Sequence, residues 1–199
     1  MPKSFLALAL VFILLASTIH PVSAYEIPDT PYYDLGKMTG GIRSVSYYID
    51  DSLLSGGNYY YFPNAIASAF EEWKNATKNN FNENSRVGYY RTSNRNSANI
   101  IFTLNTYYPD PHVIYYTYST SGTPQNQPGG EPTGNWATCI VYLNDGNRRT
   151  ILHELGHCFG LDHPWNPYQS IMYPTNDTNT NKRDYVTTSD ASHLNDRYQ

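Results

Sequence analysis

His153-Glu154-Leu155-Gly156-His157-Cys158-Phe159-Gly160-Leu161-Asp162-His163 is the stretch on which the reading of this chain turns. Placed on a helix, His153 and His157 are four residues apart, so their rings leave one face about one turn apart. Gly160 offers a place to end that helix and turn, since glycine takes left-handed backbone angles cheaply. The turn brings His163 back as a third imidazole. Neutral imidazoles suit Zn²⁺, and a catalytic zinc keeps three protein ligands and one open position for water. Glu154 lies about 100° around the helix from His153, beside the histidine stripe, placed to hold a metal-bound water rather than the metal. The pattern predicts one catalytic zinc held by His153, His157 and His163, with Glu154 as general base of a metal-assisted hydrolysis. H-E-x-x-H alone recurs by chance. With Gly160 and His163 at these spacings, a surface helix carrying two accidental histidines is the poorer account.

These eleven residues resemble the zinc-binding consensus of the metzincin metallopeptidases, and Ser170-Ile171-Met172-Tyr173-Pro174 resembles the Met-turn that lies beneath the metal in that clan. Gly160-Leu161-Asp162-His163-Pro164 and Met172-Tyr173-Pro174 are most similar to the matrixin, or matrix-metalloproteinase, branch; a metzincin outside that branch is the near alternative. More weakly, residues 42–50 resemble the first matrixin strand and 64–75 the long first helix. Residues 98–104 resemble the third strand, and 187–198 the short closing helix. The resemblance implies an α+β fold, with a mixed twisted sheet, a long first helix, an active-site helix, a Met-turn at Met172 and a C-terminal helix. It implies a secreted zinc endopeptidase whose substrate is a protein or peptide. A peptide would lie as an added strand along the sheet edge at residues 113–118, and residues 174–176 would wall the pocket just past the scissile bond. Tyr115, Tyr116, Pro174 and Thr175 are thereby the candidate substrate contacts. Matrixins are usually held latent by a propeptide cysteine on the zinc. No cysteine stands between Tyr25 and the first strand, so that device is not expected here.

The N-terminus reads as a targeting segment. Lys3 is followed by an unbroken apolar run over residues 5–16, too short for a bilayer span of about 20 residues, and Val22-Ser23-Ala24 puts small residues at a cleavage site. The expected organisation is a signal peptide over 1–24, an extended leader or short pro-segment over 25–41, and one catalytic domain over 42–199, with no second domain after it. A net charge of −4 without basic clusters argues against a nucleic-acid partner. No membrane span is expected after signal cleavage, and a monomer is. Calcium is compatible with the chain, but no residue pattern indicates it. Sequons stand at Asn75 and Asn176.

Along the chain, Val45, Tyr47 and Ile49 alternate as in a strand. Pro63 suits a helix start, and Ile66, Ala69, Phe70 and Trp73 recur at helical spacing, leaving Glu71, Glu72 and Lys74 outward. Short strands are expected at 87–90, 99–104, 113–118 and 136–144, with a long loop over 119–135. On the zinc helix, Ile151, Leu155 and Cys158 face away from the histidines, so Cys158 points into the core. It and Cys139 are the two cysteines of the chain, expected as a disulfide or as two buried thiols. His112 is expected on a loop, solvent-facing or hydrogen-bonded, and His193 in the closing helix; neither is taken as a ligand. Tyr173 is read as structural. Arg148 and Arg149 stand where the helix macrodipole disfavours cations, and the sequence offers no reason for them. The rival from another class is a secreted zinc-binding adhesion module without activity, against which an intact Glu154 argues.

Overall fold

The computed structural model describes residues 37–55, 61–78, 82–106, 111–118, 124–126, 135–164, 170–173 and 183–199. Signal peptide, Asn176, Pro174 and Thr175 lie outside them. The chain forms the expected α+β architecture: strands β1 (Val45–Ile49), β2 (Tyr89–Arg91), β3 (Ile100–Leu104), β4 (His112–Tyr118), β5 (Pro124–Asn126) and β6 (Thr138–Leu143), with helices α1 (Tyr61–Thr77), α2 (Arg148–Cys158) and α3 (Thr188–Arg197). The strands make one sheet in the order β2-β1-β3-β6-β4-β5. β2, β1, β3 and β6 run parallel, whereas β4 is antiparallel to both β6 and β5. Parallel neighbours need a crossover, and α1 supplies the one that follows β1.

Period-two alternation splits the sheet into two faces. Tyr47, Ile49, Ile100, Phe102, Cys139 and Val141 share the main core with the buried stripes of α1 and α2, while Ile101 and Ile140 form a small separate cluster with Tyr48 and Tyr142. Phe70 stacks on Tyr47 at 4.8 Å, and Trp73 meets Phe159 edge-on at 5.6 Å while its Nε1 donates to the Leu152 carbonyl at 3.0 Å. Cys139 of β6 and Cys158 of α2 are bonded, Cα atoms 5.6 Å apart. Of the two expected states of the cysteines, the disulfide is the one formed, and it ties the last turn of α2 to the sheet.

Several expectations are corrected in detail. β5 lies inside the stretch expected to be a loop, where no apolar alternation announces it. It pairs with β4 over Tyr116–Tyr118, so the open edge of β4 among the described residues narrows to its first half. His112 is the first residue of β4, opposite Tyr142, rather than a loop residue. Glu72 does not face outward: its side chain is 17% exposed and forms an ion pair with Arg148. Residues 37–41 include a core residue. Met38 is buried and bridges to Trp136, and its N–H donates to the Tyr198 hydroxyl at 3.1 Å. Among the described residues no helix is long and apolar enough to cross a membrane.

Candidate metal centre

The local fold of α2 follows from its ends. Asn147 caps the first turn, its side chain accepting from the Arg149 N–H at 3.0 Å. At the other end Gly160 takes φ 96°, its N–H donates to the His157 carbonyl at 2.9 Å, and the Leu161 N–H donates to the Gly156 carbonyl at 2.9 Å. These two bonds make a Schellman turn, which reverses the chain and leaves residue 163 beside the helix.

The three histidines converge. The Nε2 atoms of His157 and His163 each lie 3.1 Å from the His153 Nε2, and the three rings offer ligand atoms all within 4.8 Å of one another. The His153 Nδ1 lies 3.0 Å from the Ile171 carbonyl, and the His157 Nδ1 lies 2.9 Å from the Leu161 carbonyl. A carbonyl oxygen only accepts, so both Nδ1 atoms carry the proton and both Nε2 atoms present bare lone pairs. Two such lone pairs 3.1 Å apart repel unless a cation lies between them. Tetrahedral zinc with nitrogens at 2.0–2.1 Å needs ligand atoms about 3.3 Å apart, close to what is seen. The donor set therefore fits a zinc ion, and the two carbonyls supply the outer hydrogen bonds that orient metal-binding imidazoles.

Electrostatics agrees. Burial, and then the neighbouring His157, hold His153 well below the usual histidine range. Burial and His163 bring His157 down to about 3, and burial lowers His163 against the opposing charge of Asp162. Each shift favours the neutral imidazole, the form that ligation requires. Glu154 is 6% exposed and burial pushes its carboxyl up to about 8. A divalent cation in the adjacent histidine cluster would favour the carboxylate and oppose that shift.

Beneath the cluster runs a layer of support of which the sequence reading named Met172 alone. Met172 is fully buried, and a Cβ added at Gly156 would overlap its sulfur and crowd Trp73. A glycine inside a helix costs about 1 kcal/mol against alanine, so its presence in α2 was itself a readable sign of close approach. Asp190, fully buried at the start of α3, accepts from the Ser170 hydroxyl at 2.5 Å and the Ile171 N–H at 3.1 Å. The N–H and hydroxyl of Thr187 reach the same carboxylate, each at 2.8 Å. It thus fixes the residue whose carbonyl orients His153. The Thr187-x-x-Asp190 spacing shows a capping box in sequence; the bonds to residues 170 and 171 have no local sign.

The two arginines now have partners. Arg148 pairs with Glu72 and donates from Nη1 to the Asp184 carbonyl at 3.0 Å; Arg149 donates from Nε to the Arg183 carbonyl at 2.8 Å and from Nη2 to the Tyr173 carbonyl at 3.1 Å. His193 lies on α3 as expected, and among the described residues it is not part of the histidine cluster.

No family model matches the chain, and no curated protein matches it. Among solved structures it is similar to high choriolytic enzyme 1, a hatching-enzyme zinc protease from the medaka fish Oryzias latipes. That likeness has 16% identity and a TM-score of 0.48, and covers 81% of this chain and 92% of that one. A likeness at this level assigns no function; the side chains have to do so.

Proposed function

We propose that the chain is a secreted zinc-dependent endopeptidase of the metzincin type, nearest in its motif residues to the matrixin branch. The observation that carries the reading is the triad itself: imidazoles with both helical Nδ1–H groups committed to carbonyls, lone pairs converging, and a buried carboxyl one residue away on the same helix. His153, His157 and His163 would hold the metal. Bound there, zinc supplies Lewis acidity, acidifying water and polarising the scissile carbonyl. Glu154 takes the proton of the attacking water on a carboxylate oxygen and returns it to the leaving amine. The first half of β4 has main-chain groups on its open side, to which an extended peptide would add as a strand. Tyr115 stands in that stretch, whereas Tyr116 is already paired with Asn126 of β5. Secretion is supported by the signal-like residues 1–24 together with the disulfide, which persists in oxidising compartments.

The test separates chemistry from metal binding. Glu154→Gln should keep one zinc per chain and lose cleavage of a mixed peptide library by roughly 10²–10⁴-fold. A variant that cuts at near the wild-type rate means that Glu154 is not the base. A zinc-loaded wild-type protein that cuts nothing means that the chain is a binding module.

A further inference from the structure

The third histidine is held differently from the other two. His153 and His157 stand on α2, and each commits its Nδ1–H to a main-chain carbonyl. His163 follows the turn at Gly160, in neither helix nor strand, and its side chain is 44% exposed. Its Nε2 faces the cluster, so Nδ1 is the nitrogen left to carry the proton. Among the described residues no carbonyl accepts from that Nδ1. The group that faces it is the Asp162 carboxylate, whose Oδ1 lies 3.9 Å away and whose side chain is only 20% exposed. The same Oδ1 accepts the His163 main-chain N–H at 2.5 Å. At 3.9 Å it is too far to accept from the ring directly, but a fixed negative charge acts over that distance. Leu161, on the other side of Asp162, is buried and its carbonyl accepts from His157. Asp162 therefore stands between an anchored residue and the third imidazole, with one oxygen serving both backbone and ring.

Resting on the zinc reading above, we propose that Asp162 is a positioning residue for the third ligand: its carboxylate fixes the His163 backbone and places negative charge beside the ring, raising zinc affinity. Three neutral imidazoles leave the charge of a divalent cation uncompensated. An anion behind one ligand ring lowers the energy of the cation-bound state and does nothing comparable for the empty one. The same anion attracts the Nδ1 proton, which keeps Nε2 bare and makes it the better donor.

The test reads two quantities on the full chain: zinc affinity, by competition with a chromogenic chelator, and the melting temperature of the zinc-free protein. Asp162→Asn keeps an amide oxygen to accept the His163 N–H but removes the charge. It should leave the zinc-free melting temperature unchanged and weaken zinc affinity roughly tenfold, the lower end of what losing an outer partner of a metal-binding histidine costs. Asp162→Ala loses the backbone bond as well and should weaken affinity further. Asp51→Asn, at an exposed aspartate outside the cluster, makes the same change in net charge and should leave affinity as in the wild type. Wild-type affinity in Asp162→Asn overturns the proposal whatever the melting temperature does, because the aspartate then serves the turn alone. An equal loss in Asp51→Asn overturns it too. Because affinity is read without substrate, a wild-type protein that holds no zinc is what sinks the metal reading, and this proposal with it.

Discussion

Two regions pack on α2 and are held to it by different forces. The sheet and α1 meet it through fully buried apolar side chains: Phe70, Trp73, Phe102, Val141, Leu152 and Leu155 share one continuous core. Residues 170–173 and 183–199 contribute fewer apolar anchors, chiefly Ile171, Met172, Leu194 and Tyr198, and are otherwise fixed by side chains gripping backbone. Asp190 holds Ser170 and Ile171, Arg149 holds Tyr173 and Arg183, Arg148 holds Asp184, and Glu72 accepts from the Val186 N–H at 2.6 Å. Apolar contact is non-directional and tolerates repacking, whereas hydrogen bonds to a chosen carbonyl fix position to fractions of an ångström. The region that must aim His153 is built from the second kind.

If that division is right, the largest losses of stability lie on the sheet side. Trp73→Ala removes a fully buried indole and its bond to the Leu152 carbonyl, and should cost about 3–5 kcal/mol in chemical denaturation. A cost below that of the polar substitutions described next would invert the comparison. Reduction of Cys139–Cys158 should follow. The bond spans 19 residues of sequence, which in the chain-entropy model is worth roughly 3 kcal/mol. Reduction should lower the melting temperature without releasing zinc, because neither sulfur belongs to the histidine cluster. Zinc loss on reduction would place the staple in the site rather than beside it.

The sheet side is also the part that sequence made legible. Alternation at Val45, Tyr47 and Ile49 and the helical spacing of Ile66, Ala69, Phe70 and Trp73 locate β1 and α1, because one buried face imposes a period. The triad was readable for the same kind of reason, since its histidines lie on one helix and the turn that ends it. The long-range bonds of Asp190, Arg149 and Glu72 have no such sign. Those bonds reach backbone atoms 19 to 114 positions away, and a backbone N–H or carbonyl looks alike whatever residue carries it. Glu72 was read as outward because it sits off the apolar stripe, and the structure gives it an arginine and an N–H. β5 escaped notice because three residues, one of them proline, carry no period.

A sharper test of the polar side is Asp190. Asp190→Asn keeps the shape but replaces an acceptor-only oxygen with a donor, so at least one of the four donors now on the carboxylate loses its partner. The expected cost is about 1–3 kcal/mol, and Asp190→Ala should cost more. The distinctive outcome is at the metal: Asp190→Asn should weaken zinc affinity through the Ile171 carbonyl and His153, by roughly 10-fold or more. Trp73→Ala, more damaging to the fold, should weaken it less in the protein that remains folded. Equal zinc affinities in Asp190→Asn and wild type would mean that Ile171 holds its place without the carboxylate.

The smallest effect is expected where the two regions are stitched together at the chain's end. Tyr198 donates its hydroxyl hydrogen to the Phe159 carbonyl at 3.0 Å and accepts from the Met38 N–H at 3.1 Å, joining α3 to the turn after α2 and to the first core residue among those described. Burial pushes this phenol up to about 12, with the Met38 bond and Arg197 acting weakly the other way. A phenol whose folded pKa exceeds the unfolded value of about 10 binds its proton more tightly when folded. Its contribution is therefore fully present below pH 10 and is lost as pH rises through about 12. Melting temperature should be flat with respect to this group up to pH 10 and fall beyond it. Tyr198→Phe should cost about 1 kcal/mol near neutrality, because Met38 and Phe159 lose a shared partner, and should flatten part of the alkaline fall. Some of the fall should survive in the variant, since Tyr89 is also raised to about 12, by burial and by Glu71, and titrates in the same window. An alkaline slope identical in wild type and Tyr198→Phe would show that the hydroxyl is not holding the seam, and that apolar contact alone joins the two regions there.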